Sequence, residues 1–101
     1  MKKKAFSPFP KTVYKRNAEI YKLLANPKRL EILNILKNGQ ATLSELTKII
    51  GARKVNISQH LAVLRHLRLV EVTERDREAR YRIVNPKIVE LCYILKNLHN
   101  K

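Results

Sequence analysis

Residues 42–67 carry two helix signals with almost no chain between them. That spacing restricts the fold more than any other feature of the sequence. The first opens at "TLSE", where Thr42 and Glu45 have the spacing of a capping box, each satisfying a backbone N–H of the other. The helix should run to about Ile50, and Gly51 can end it by adopting a left-handed conformation. The second signal is "KVNISQHLAVLRHL", Lys54 to Leu67. Its Ile57, Leu61 and Leu64 fall at i, i+4 and i+7, a single stripe facing inward. Two short helices joined by three or four residues make a helix-turn-helix.

The second helix is polar at its front. Lys54, Val55, Asn56, Ser58 and Gln59 lie largely off the apolar stripe. Asn and Gln pair well with adenine and Ser with several bases, so a helix anchored by one face could read base edges with the other. An ordinary solvated surface would show the same polarity, and here the charge balance bears on the choice. The chain has 22 Lys plus Arg against 8 Asp plus Glu, a formal +14. Such an excess costs self-repulsion unless a polyanion neutralises it. Nucleic acid is the first candidate and an anionic membrane surface the second, with a merely basic protein as the plain alternative.

The length of 101 residues suits one domain. A domain this size buries only about 60–65% of its unfolded surface, which makes a partner subunit a reasonable expectation. Residues 1–10, "MKKKAFSPFP", read as a flexible basic arm: Lys2, Lys3 and Lys4 are solvated or phosphate-seeking, and Pro8 and Pro10 block helix. The arm starts like a signal peptide, but no apolar stretch follows it. Residues 11–101 form the domain. Helical spacing runs from Lys11 to Leu24, and Asn26-Pro27 has the form of an N-cap with proline at the first helical position. The helix that follows carries Leu30, Ile32, Leu33, Ile35 and Leu36, should stop at Asn38-Gly39, and reads as the central core helix.

After Leu69 the period changes to alternation. Val70 and Val72 share one side of a first strand; Tyr81 and Ile83 share one face of a second, with Arg80 and Arg82 on the other. The charged "RDREA" between them makes a hairpin whose tip carries Arg75 and Arg77. That tip is placed to reach phosphates or a minor groove. Asp76 and Glu78 offset its charge and leave a solubilising loop as the alternative. Asn85-Pro86 repeats the cap-plus-proline start, and the last helix should run to about Leu98. Its apolar residues, among them Ile88, Leu91, Cys92, Ile94, Leu95 and Leu98, form a stripe too broad for one side to cover. A second copy of the chain is the simplest cover, with Tyr14 and Tyr21 of the first helix joining the interface. The fold class is mainly α with a small β-hairpin: a winged helix-turn-helix of about five helices.

With "LANPKRLEILNIL", "LSELTKIIG" and "NISQHLAVLRHLRLV" in this order, residues 18–98 resemble the ArsR/SmtB family of winged-helix transcriptional repressors. The resemblance implies a homodimer joined through the first and last helices. It also implies two reading helices in successive major grooves of double-stranded DNA, on a palindromic operator with half-sites about one helical turn apart. Lys54, Val55, Asn56, Ser58 and Gln59 match the family's base-contacting positions. Lys54 stands where the family often has Gln, and Arg53 where it often has a capping Ser; Arg53 is counted with the DNA-binding residues. His60 matches a frequent family His, although a packing role is at least as consistent with its spacing.

The family's metal sites are not reproduced. "LSELTKII" contains no Cys where the thiolate-rich site would lie, and the last helix offers Asn85 and Lys87 at its start and only His99 at its end. Cys92 and His99 are seven residues apart, about 10 Å along a helix, too far to hold one ion from the same chain. No metal and no other cofactor is expected. Cys92 is the lone cysteine, so no intrachain disulfide can form. Two copies facing each other across a dimer could form an intermolecular disulfide, whereas a lone Cys on an apolar stripe usually behaves as a small buried hydrophobe. A single cysteine fits a reducing interior, and no apolar run approaches the ~20 residues of a membrane span; a cytoplasmic location is expected, with no membrane partner. No nucleophile-base pair, carboxylate pair or cofactor loop points to an enzyme. The expected function is a sequence-specific DNA-binding transcriptional regulator, a dimeric repressor without a metal site. The alternative is a basic architectural or RNA-associated protein that uses the same fold non-specifically.

Overall fold

A computed structural model describes residues 4–99, for His99 the backbone alone. Lys2 and Lys3 of the expected arm lie outside the described residues. The elements run α1 (Lys11–Leu24), α2 (Pro27–Lys37), β1 (Ala41–Thr42), α3 (Leu43–Ile50), α4 (Lys54–His66), β2 (Val70–Arg75) and β3 (Glu78–Ile83). A short 3-10 helix (Pro86–Val89) and α5 (Glu90–His99) complete the chain. This is the winged helix-turn-helix architecture, five helices with a small sheet.

The helix ends follow from local chemistry. Asn26 Oδ1 accepts the Arg29 N–H at 3.1 Å ahead of Pro27. The capping box at α3 is complete: Thr42 Oγ1 accepts the Glu45 N–H at 3.1 Å, and Glu45 Oε1 accepts the Thr42 N–H at 2.9 Å. Those bonds to Thr42, backbone first, hold the Glu45 carboxyl below the usual glutamate value. Gly51 closes α3 at φ 76°, a conformation that a Cβ would make costly. Ala52 and Arg53 then lead into α4.

The core gathers where these helices meet. Ile32, Leu33 and Leu36 of α2, Leu46 of α3 and Ile57, Leu61 and Leu64 of α4 are buried together, closed by Ala41, Val70 and Val89. Burying side chains of this size gains roughly 1.5–3 kcal/mol each, which makes this cluster the main source of stability in the single chain. No residue of α1 is buried.

The sheet has three antiparallel strands in the order β1-β3-β2. The hairpin register pairs Val72 with Tyr81 and Glu71 with Arg82, and the Glu71 and Arg82 side chains form an ion pair. Residue Arg75 faces Glu78, which leaves Asp76 and Arg77 as a two-residue turn, both with positive φ (54° and 66°). The structure departs from the sequence reading twice. The two-residue β1 pairs Ala41 with Tyr81 and Thr42 with Arg80, so the sheet is larger than a hairpin. The last helix begins with a tighter 3-10 turn carrying the buried Val89, because Asn85 Oδ1 accepts the Lys87 N–H at 3.0 Å and i→i+3 winding is common at a helix start.

Candidate nucleic-acid interface

Helix α4 turns its stripe of Ile57, Leu61 and Leu64 fully into the core. The opposite face is thereby fixed outward, since a helix cannot rotate without exposing those three side chains. On it Lys54, Val55, Asn56, Ser58 and Gln59 are all exposed, Val55 at 69%. Leu43, at the start of α3, borders the same shallow depression as Lys54, Val55, Ser58 and Gln59. Polar groups of short reach thus surround one branched apolar side chain, a combination able to take base edges and a thymine methyl.

Arg53 occupies the N-cap position of α4 in extended conformation (φ −72°, ψ 147°) and makes no capping hydrogen bond with its side chain. With no short acceptor there, the N–H groups of the first turn keep their capacity for solvent or a phosphate oxygen. The other predicted pair is carried elsewhere. Arg75 and Arg77 are exposed at the tip of the hairpin. At about 3.3 Å per residue, Arg75 lies roughly 16 Å along β2 from Val70, where the strand leaves the core. The exposed front of α4 and the hairpin tip are therefore two separate prongs on one base.

Cys92 does not join either prong. It is half-buried on the face of α5 turned to α2, where its Sγ accepts a hydrogen bond from Asn34 Nδ2 at 3.4 Å. Among the described residues, no group of three or more His, Cys, Asp or Glu side chains could hold a metal ion.

A residue that sequence reasoning missed supports α4 from behind. Arg29 of α2 donates from Nε to His60 Nδ1 (3.1 Å) and from Nη1 to the Leu23 carbonyl at the end of α1 (2.8 Å). One guanidinium thus ties α1, α2 and α4 together. The bond requires Nδ1 of His60 to be free of a proton. Burial, reinforced by the Arg29 and Lys28 cations, holds the imidazole below the usual histidine value. Since 31 residues separate Arg29 from His60, only the packing of α2 on α4 reveals the pair.

Comparison with known proteins fits this geometry. The model of the arsR family of bacterial regulatory proteins matches residues 26–72, from the cap of α2 into β2. The HTH-type transcriptional regulator Rv0081 of Mycobacterium tuberculosis is 33% identical over 87 residues, covering 85% of this chain and 76% of that protein. The chain belongs to the ArsR family. As an ArsR-family protein it is a winged-helix DNA-binding transcriptional regulator, not an enzyme. The crystal structure of M. tuberculosis Rv0081 superimposes with a TM-score of 0.75 at 32% identity, covering 88% of this chain and 90% of that one. The biofilm growth-associated repressor of Xylella fastidiosa is 32% identical over 77% of this chain and 68% of its own length. The homodimeric winged helix-turn-helix domain of Mb0332 from Mycobacterium bovis shares the fold, with a TM-score of 0.76 at 23% identity over 93% of each chain. Among the described residues no helix is long and apolar enough to cross a membrane.

Proposed function

We propose that this ArsR-family regulator is a cytoplasmic homodimeric repressor whose α4 reads a palindromic operator. Asn56, Ser58 and Gln59 would hydrogen-bond base edges in the major groove, with Lys54 and Val55 beside them, while Arg53, Arg75 and Arg77 would neutralise backbone phosphates. Residues 1–10 would act as a basic arm to the domain. The observation that carries the reading is the exposed front of α4 over a fully buried stripe. The homodimeric relative and the repressor named above support the dimer and the direction of control. Exposed Tyr14 and Tyr21 on α1 and Leu91, Ile94, Leu95 and Leu98 on α5 supply the apolar surface a second copy would cover. Control by a bound metal is not part of the proposal.

Selection of bound duplexes from a random pool tests it. The expected result is an enriched motif of two inverted half-sites about one helical turn apart. Binding should weaken with salt at a slope near −0.9 per phosphate neutralised, about 6–10 of them for a dimer. The net charge of +14 would serve an architectural protein equally well. That protein would enrich no motif, and such an outcome would replace the proposal.

A further inference from the structure

Helix α4 ends in a tight reversal. The Leu69 N–H donates to the Leu64 carbonyl at 3.0 Å and the Arg68 N–H to the Arg65 carbonyl at 2.9 Å, the paired bonds of a Schellman motif. The residue that makes this reversal must be left-handed, and glycine does so without a steric penalty. Here the position holds Arg68, at φ 61°. Arg68, Asp76 and Arg77 are the non-glycine residues with positive φ among those described. They stand at the entry and the tip of the same hairpin. A side chain held in a sparsely populated conformation points to a use for that side chain.

The surroundings of Arg68 indicate the use. It lines an open groove of about 640 Å³ between the end of α4 and the hairpin, together with Ala62, Arg65, His66, Glu71 and Val84. Arg65, His66 and Arg68 are all exposed, and among the described residues none of their side chains makes an ion pair or hydrogen bond. The one carboxylate in the groove, Glu71, is paired with Arg82. The cations of this groove are therefore not compensated by the chain itself. At helical spacing the exposed face of α4 continues from Val55 through Gln59 and the small Ala62 to His66, so the groove extends the reading face toward the hairpin.

We propose that Arg68, together with Arg65, clamps a DNA backbone phosphate lying between the groove read by α4 and the groove reached by the hairpin tip. This rests on the DNA-binding reading of α4 above. A guanidinium suits the task because it meets phosphate oxygens with two parallel N–H donors.

Arg68→Gly tests the clamp, because glycine is the residue the backbone prefers there. Melting temperature should stay level or rise. Affinity should fall about five- to thirtyfold at ~0.15 M salt on the selected operator and on a random duplex alike, as one or two phosphates per dimer go unneutralised. The salt slope should flatten by about one for each such phosphate. Arg68→Lys, which keeps the charge, should retain most of the slope. Unchanged affinity and slope in Arg68→Gly would overturn the clamp while leaving the reading by α4 intact. A variant that binds more weakly but also melts lower would assign Arg68 a structural role and overturn the clamp as well. If Arg68→Gly binds DNA normally but loses a rise in melting temperature caused by inorganic phosphate, the groove takes a soluble anion instead, which also overturns the clamp. Failure of the unmodified protein to bind any duplex in a salt-dependent way would remove the underlying reading.

Discussion

Helices α4 and α5 are both amphipathic, with apolar residues at i, i+3, i+4 and i+7 spacings, yet the single chain treats them in opposite ways. In α4 the stripe of Ile57, Leu61 and Leu64 is at most 1% exposed, and the polar front is left to solvent. In α5 Leu91, Ile94 and Leu98 are 57%, 58% and 67% exposed, while the inner side, with Cys92, rests on α2. Tyr93 lies on α2 as well, its ring 4.1 Å from the Lys37 ammonium. One helix is completed by its own chain and presents hydrogen-bonding groups; the other presents apolar surface that a monomer gains nothing by exposing. The outer face of α4 is thus free for a polar partner, and that of α5 calls for an apolar one.

The largest effect that separates the two is on stability. Leu61→Ala should cost about 2–5 kcal/mol in denaturant unfolding, a large part of what a domain of this size has. Leu98→Ala, on the exposed stripe of α5, should leave the unfolding of isolated monomer nearly unchanged. Equal losses at both sites in monomer would erase the distinction.

The next effect is on assembly. Ile94→Glu with Leu95→Glu should turn a dimer into a monomer by sedimentation while the helical circular dichroism persists, because charges replace apolar groups at the proposed interface. Operator affinity should fall by more than tenfold as the second half-site is no longer engaged by the same assembly. A charged variant that still sediments as a dimer would move the interface away from α5.

Not all of this contrast was legible in the sequence. Asn26-Pro27, the Thr42–Glu45 box, Gly51 and the apolar stripes placed the helices, because capping and periodicity are local. Strand β1 was missed because two residues cannot show alternation, and its pairing with β3 joins residues some 40 apart. The change from 3-10 to α winding after Val89 left no mark in a pattern that reads the same for both. The front of α4 followed from its own spacing. Arg68 did not stand out, because a left-handed reversal is signalled in sequence by glycine and here the glycine is absent. The Arg29–His60 bond was invisible for the same reason as β1: its partners meet only in the fold.

That bond supplies the smallest predicted effect. The His60 pKa is lowered in the fold, so between the folded and unfolded values the unfolded chain binds more protons. Its contribution to stability should be present above about pH 6.5, the ordinary histidine value, and should be lost as pH falls through the lowered folded value. Protonation would also remove the Nδ1 acceptor that Arg29 uses. His60→Gln should flatten the stability-pH curve in this window, as read by thermal melts at fixed ionic strength. A curve identical to that of the unmodified protein would show that other groups govern the dependence.

The sharpest check on base reading is the ratio of operator affinity to random-duplex affinity in Asn56→Ala/Gln59→Ala, with Arg75→Ala/Arg77→Ala as the counterpart. Base contacts of this type are each worth about 1–3 kcal/mol of discrimination, so the first variant should drop at least tenfold in the ratio while its random-duplex affinity barely changes. The second should bind both duplexes more weakly by the same factor and keep its ratio. Equal weakening on operator and random duplex in Asn56→Ala/Gln59→Ala would show that the front of α4 does not read bases.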